Sequence, residues 1–315
     1  RTIAPPGIEV APPKPSGTVP AWLVHRLGLL ARGDTPFLAH LASKGLHANP
    51  VVILYARSFM VGLICGLRMI ELEGAVLCPE PDPRVVTVKY APKGDRKLAR
   101  CTTWAYAVDI LGPLSWWDEY RTQFGDGQPL CPAFTGGKNG SNRTDILKAK
   151  ALHASAHRSP CVPAKAWCAI TKAPGFLDAE RWKNLNLTPH CLHGSTNDIC
   201  HQLGKPCGLD PAAEGDSHGN WILPPRPDKN EGDTSAPSGK RMRRRYATGE
   251  NRRGSREEQL LARWKLWYAI GTGAAAVGYD NIECDAGWTQ IRAAVASLGT
   301  TFEPADPMGP PRYTP

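Results

Sequence analysis

The chain has 315 residues, 42% of them hydrophobic, which is enough for one large folded domain or two small ones with a real apolar core. Its 30 prolines and 31 glycines point to long irregular connections, and a formal charge of +9 makes nucleic acid the first partner to consider. Ten cysteines without a Cys-x-x-Cys pair, and no secretory signal, argue against a disulfide-stapled secreted domain and for reduced thiols in an intracellular protein.

Residues 1–19 (RTIAPPGIEVAPPKPSGTV) are proline-rich and read as a linker or flexible arm. Residues 20–47 hold one or two short helical patterns around Trp22, Leu23, Leu27 and Leu30. Asn49-Pro50 is helix-start chemistry, an N-cap side chain followed by proline at the first helical position. The helix it opens, VVILYARSFMVGLIC, is apolar nearly all round and should be buried. It is interrupted by Arg57 and is too short to span a bilayer, so no membrane partner is expected. Gly66 ends or bends it, and a second helix begins in GLRMIEL.

RVVTVKYAPKGDRKLAR (84–100) predicts a hairpin, with Val86 and Val88 in a β-branched run and Pro92-Lys93-Gly94-Asp95 as the turn. TTWAYAVDILGPLSWWDEY (102–120) reads as helical at least to Gly112. After LCPAF (130–134) comes a polar, glycine-rich stretch without clear period to about residue 174. A helix is expected over 176–186. The segment HCLHGSTNDICHQLG (190–204) follows Thr188-Pro189, and its Ser195, Thr196 and Asn197 suit a helix start.

Residues 222–240 are rich in proline, glycine and charge and read as a disordered loop. Behind them lies RMRRRY (241–246). SREEQLLARWKLWYAIG (255–271) carries the clearest helix signal, a Ser255/Glu258 capping box and a stripe of Leu260, Leu261, Trp264, Trp267 and Tyr268. A last helix is expected over 287–298, before a proline-rich tail at 301–315. Arg1 in place of a starting Met reads as a fragment or processed product. The Asn-x-Ser/Thr triplets at Asn139, Asn142 and Asn186 are expected to be chance matches.

Chemistry concentrates in a few places. Arg68 follows a buried apolar helix, where a charge is costly unless it is used; the plainer alternative is a helix-start arginine beside Glu71 or Glu73. Residues 190–207 hold three histidines and three cysteines, which raises a metal site. The spacings His190-Cys191, His193, Cys200-His201 and Cys207 match no common zinc pattern, so a basic zinc-binding interaction protein is the weakest reading. Tyr246 sits in a charge run that would equally serve as a nuclear-import signal or a phosphate-contact patch.

The order of these pieces resembles the catalytic domain of tyrosine recombinases, the phage-integrase superfamily. GLRMIEL is similar to that family's first arginine motif, and VTVKYAPKGDR to the hairpin bearing its catalytic lysine. LCPAF resembles its Leu-Phe-Pro segment. HCLHGSTNDICHQLG is similar to the His-x-Leu-Arg-His box in length, leading histidine, Leu192 and closing Gly204. SHGNW (217–221) resembles the Gly-His-Trp segment, and MRRRYA the segment carrying the nucleophilic tyrosine. The resemblance spans roughly residues 48–270. Where the family has its second arginine this sequence has His193, and Gly194 follows in place of histidine.

The resemblance implies a mainly α fold with a small β-hairpin or three-stranded sheet (α+β), and a catalytic domain over 48–300 with 222–240 as an insert. Residues 20–47 would be the remnant of an N-terminal helical region. It implies breakage and rejoining of duplex DNA through a 3′-phosphotyrosyl link. Tyr246 would be the nucleophile, Arg68 a phosphate clamp, and Lys93 the acid for the departing 5′-oxygen, with Lys89 as runner-up. His190 would move protons, His218 or Trp221 would brace the phosphate, and His193 would stand in for the missing arginine. Lys89, Arg241, Arg243, Arg244 and Arg245 would contact DNA. No metal or other cofactor is implied. The expected partner is double-stranded DNA, with the chain as a homo-oligomer on it, in the nucleus if the source is eukaryotic. Losing a charge-assisted clamp costs about 3 kcal/mol in a transition state, so a DNA-binding relative that no longer cleaves is the alternative.

Overall fold

The computed structural model describes residues 17–91, 101–124, 127–131, 163–173, 175–176, 184–207 and 256–298. Helix α1 (Ala21–Arg32) opens the described chain. It stops at Gly33, whose left-handed φ of 68° lets its own amide and that of Asp34 turn back onto the Leu30 and Leu29 carbonyls. Helix α2 (Thr35–Ser43) starts where the Asp34 carboxylate accepts the Phe37 amide at 2.8 Å.

Helix α3 (Pro50–Ile64) is the centre of the molecule. Asn49 caps it by accepting the Val52 amide at 3.0 Å, and Pro50 fills its first position, as the sequence predicts. All its residues except Pro50 and Ile53 are buried, because α1 covers one side and helices from the second half of the chain cover the rest. Even Arg57 is inside. Its Nε donates to the Ala31 carbonyl at 2.8 Å, its Nη2 to Glu119 at 3.2 Å, and its guanidinium lies 5.5 Å from the Trp116 ring centre. Residues 21–43 thus share the core of α3, with Leu23, Leu27, Leu30, Phe37 and Leu41 buried beside it.

Helix α4 (Met69–Glu73) leads into a three-stranded antiparallel sheet of order β1-β2-β3. Strand β1 is Val76–Leu77, β2 is Val85–Tyr90 and β3 is Cys101–Tyr106. Val76 pairs with Lys89, and Tyr90 with Cys101. The fold is therefore α+β. The hairpin pairs β2 with β3, the expected turn at 92–95 and residues 96–100 lie outside the described residues, and the expected helix from residue 102 is instead β3, followed by β4 (Val108–Asp109) and β5 (Gly112–Pro113). Thr102, Thr103, Trp104 and Tyr106 are β-branched or aromatic and fit a half-covered pleat. A short apolar run does not by itself separate strand from helix.

Helix α5 (Trp117–Phe124) follows, and Tyr120 reaches from it to Ser58 of α3 at 3.1 Å and to the Leu130 carbonyl. A helix not expected from the sequence, α6 (Pro163–Thr171), buries Trp167 edge-on against Phe59 at 5.3 Å. Helix α7 (Cys191–Leu203) holds the histidine-rich segment. It starts at Cys191 rather than at the expected Ser195-Thr196 cap. Both hydroxyls lie inside the helix and bond back to the Cys191 and Leu192 carbonyls. Long α8 (Arg256–Ala276) crosses β3, and α9 (Trp288–Ser297) packs against it; both match the sequence expectation. The helix expected over 176–186 and the loop 222–240 lie mostly or wholly outside the described residues.

Candidate functional site

Arg68 sits where α3 has ended and α4 has not begun. Gly66 adopts a left-handed φ of 67°, and the Leu67 amide turns back to the Gly62 carbonyl at 2.8 Å. Arg68 is then extended, and its backbone amide donates to Glu71 Oε2 at 2.8 Å. Its Nη1 donates to Glu71 Oε1, also at 2.8 Å. The Glu71 side chain is 1% exposed and that of Arg68 is 28% exposed. A buried carboxylate thus holds both the backbone amide and the guanidinium of a partly exposed arginine.

Helix α7 meets this turn from the other half of the chain. Its His193 is buried, with ring Nδ1 3.0 Å from the Gly66 carbonyl; a carbonyl only accepts, so Nδ1 carries the proton. One turn on, Thr196 donates to the Leu63 carbonyl at 3.1 Å. Ser195 accepts the Val19 amide at 2.6 Å, and the Trp288 indole of α9 donates to the Val19 carbonyl at 2.7 Å, so the start of the described chain is tied to both helices. Gly62 makes the approach possible. A Cβ there would lie 2.9 Å from Leu72 of α4 and 3.3 Å from Leu192 of α7.

The structure therefore brings His193 to the Gly66 carbonyl, two residues before Arg68 in the chain. His190 precedes α7, exposed, with its amide on the Thr188 hydroxyl at 3.3 Å. Lys89 is the exposed residue of β2, between Val76 and Thr102. Lys93, His218, Trp221, Tyr246, Arg241, Arg243, Arg244 and Arg245 lie outside the described residues.

The Arg68–Glu71 pair is the helix-start alternative that the sequence offers, and other contacts of this part of the fold are less visible in it. Glu71 as the holder of Arg68 was visible as a glutamate three residues on, the spacing that faces two side chains on one turn. Thr196 was visible as a hydroxyl at helical spacing from His193. Glu80 and Arg263 had no local signal. Glu80, between β1 and β2, accepts Arg256 Nη2 at 2.7 Å and the Thr87 hydroxyl at 2.7 Å, joining the first turn of α8 to the sheet. Arg263, further along α8, is buried and donates to the Thr103 hydroxyl at 2.6 Å and to the Trp104 carbonyl.

Among the described residues no three His, Cys, Asp or Glu side chains are grouped to hold a metal ion. A cysteine ligates zinc as the thiolate, and burial pushes the Cys191 thiol well above its usual range and that of Cys207 up to about 12. A cavity of about 290 Å³ lies elsewhere, at the opening of β2, lined by Arg84, Tyr106, Leu114, Trp117 and Asp118. Among the described residues no helix is long and apolar enough to cross a membrane. No protein-family model, curated protein or solved structure matches the chain.

Proposed function

We propose that the chain acts on duplex DNA by breaking and rejoining strands through a phosphotyrosyl intermediate, in the manner of tyrosine recombinases. One observation carries the reading. GLRMIEL and HCLHGSTNDICHQLG, far apart in sequence, meet at the Gly66 carbonyl and leave Arg68 partly exposed beside the junction. Those are the two segments that would have to converge on one phosphate.

In this reading the Tyr246 phenol attacks the phosphorus, the bond from phosphorus to the 5′-oxygen breaks, and a 3′-phosphotyrosyl link forms. Lys93, or Lys89, gives the departing oxygen its proton, and His190 takes the proton of the phenol. Arg68 binds the non-bridging oxygens, whose charge is greatest in transit; the Glu71 contacts fix it before substrate arrives and spare it reorganisation. The exposed Lys89 and the arginines of 241–245 track the DNA backbone.

A specific observation favours a second reading, binding without cleavage: the His193 Nδ1 proton is committed to backbone rather than offered to a phosphate. A suicide duplex nicked beside the scissile phosphate separates the two. The first reading expects a covalent protein–DNA adduct that Tyr246→Phe abolishes with DNA affinity unchanged. His193→Arg, which keeps a donor near Gly66 and adds a permanent fork, is expected to raise its yield. No adduct from either protein, with DNA still bound, establishes the second reading; no DNA binding at physiological salt sinks both.

A further inference from the structure

One carbonyl of the α3–α4 turn is met by a side chain from a distant helix. At the end of α3 the Val61, Gly62 and Leu63 carbonyls accept the amides of Cys65, Leu67 and Gly66. The Gly66 carbonyl lies past that end and faces His193 from a helix 127 residues later. Together with Thr196 on the Leu63 carbonyl, His193 forms a two-point grip on the end of α3. The peptide it holds is the one whose orientation sends the chain through Leu67, fully buried, into Arg68.

From this geometry we infer that His193 is a positioning residue: its Nδ1 proton fixes the Gly66 peptide and thereby aims Arg68 at its anion. This rests on the proposed role of Arg68 on a DNA phosphate, but the grip itself is a property of the fold. The contact needs a donor at the Nδ1 position only. Neutral and protonated imidazole both supply it, so the role does not switch with pH. Asparagine places an amide N–H close to where Nδ1 stands. Glutamine carries the same amide one carbon further out, and alanine carries none.

The test has two arms on the full-length chain. The first is amide hydrogen exchange across residues 65–69 in wild type and in the Asn, Gln and Ala variants of His193. Loss of one buried hydrogen bond should speed exchange there by about tenfold in His193→Ala and His193→Gln, while α8 keeps its protection. His193→Asn should restore it. The second arm is the affinity of a fluorescein-labelled random-sequence duplex for wild type, Arg68→Ala, His193→Gln and the double variant. If His193 works through Arg68, each single change weakens binding by about fivefold or more, and the double is no worse than Arg68→Ala alone.

Unchanged exchange at 65–69 in both His193→Gln and His193→Ala overturns the inference. So does a double variant whose losses multiply, which would make His193 an independent contact. If Arg68→Ala leaves DNA affinity untouched, the phosphate role of Arg68 fails, and the exchange arm still decides whether His193 holds the turn. His193→Gln, which keeps bulk and polarity, carries the test if His193→Ala does not fold.

Discussion

Replacing His25 by phenylalanine, or Asp109 by asparagine, should unmask two pH dependences that oppose each other in the intact protein. His25 is buried on α1 and stacks on Tyr279 at 4.5 Å. Burial first, then the charges of Arg26 and Arg32, lower its pKa from 6.5 to about 4. Asp109 is fully buried on β4. Burial pushes its carboxyl from 3.8 up to about 6, against the pull of Arg32 and of the Leu111 and Gly112 amides. Each gap is worth roughly 3 kcal/mol at about 1.4 kcal/mol per pH unit.

The signs are opposite. The folded pKa of His25 is depressed, so its contribution is complete above pH 6.5 and is lost as pH falls through about 4. That of Asp109 is raised, so its contribution is complete below pH 3.8 and is lost as pH rises through about 6. Over pH 4–6 the two offset one another. His25→Phe keeps a stacking ring and removes one slope; Asp109→Asn keeps an acceptor for the Leu111 amide and removes the other. Relative to wild type, His25→Phe should gain about 3 kcal/mol between pH 7 and pH 4, and Asp109→Asn should gain about as much between pH 4 and pH 7. Urea midpoints read by tryptophan fluorescence at half-unit steps would show shifts of about 1 M. Taking variant minus wild type cancels the other titrating groups, including Asp82, whose pKa the Arg84 hydrogen bond lowers. Difference curves that are flat with pH for both variants would refute the reasoning.

Two further substitutions test the frame that carries Arg68. Gly62→Ala forces a methyl against Leu72 and Leu192 and should destabilise the protein by about 1–3 kcal/mol in urea unfolding, with the earliest loss of amide protection in α4. Glu80→Gln leaves Arg256 and Thr87 with a neutral partner and should cost about 1–3 kcal/mol, read in the same way.

The helices that proved legible in sequence carry their own punctuation. Asn49-Pro50 starts α3 and Gly66 stops it, and an apolar stripe marks α8. Strand β3 was not legible, because what makes CTTWAY a strand is its register with β2 and the cover of α8, neither of which is local. Helix α6 had a signal that length concealed: Pro163 at the first position, then Ala166, Trp167 and Ile170 on one buried face, over only nine residues. The motif pieces around Arg68 and His193 were visible as strings. Their contact was not, because it joins a side chain to a carbonyl, and carbonyls leave no mark in a sequence. The same holds for His25, Asp109 and Glu80, whose burial depends on partners far along the chain.

Two core helices such as α3 and α7 would pack together whatever the protein did, so their contact alone argues little for function. What distinguishes this seam is its chemistry. Apolar side chains would close it at less risk, yet two hydrogen bonds cross it, both onto the end of α3, and the turn they hold presents an arginine. The arginine's carboxylate partner is buried while the arginine itself reaches solvent. As a stabiliser of a five-residue helix such a pair is inefficient, since desolvating Glu71 consumes most of what the attraction returns. As a holder it is well suited: a buried, doubly bonded carboxylate fixes a guanidinium in place without removing it from reach of an anion. A site that binds phosphate by preorganisation needs that property, and a purely structural ion pair does not. The weight of the functional reading therefore falls on Arg68 and the turn that carries it, and the excess of positive charge along the chain adds little to it.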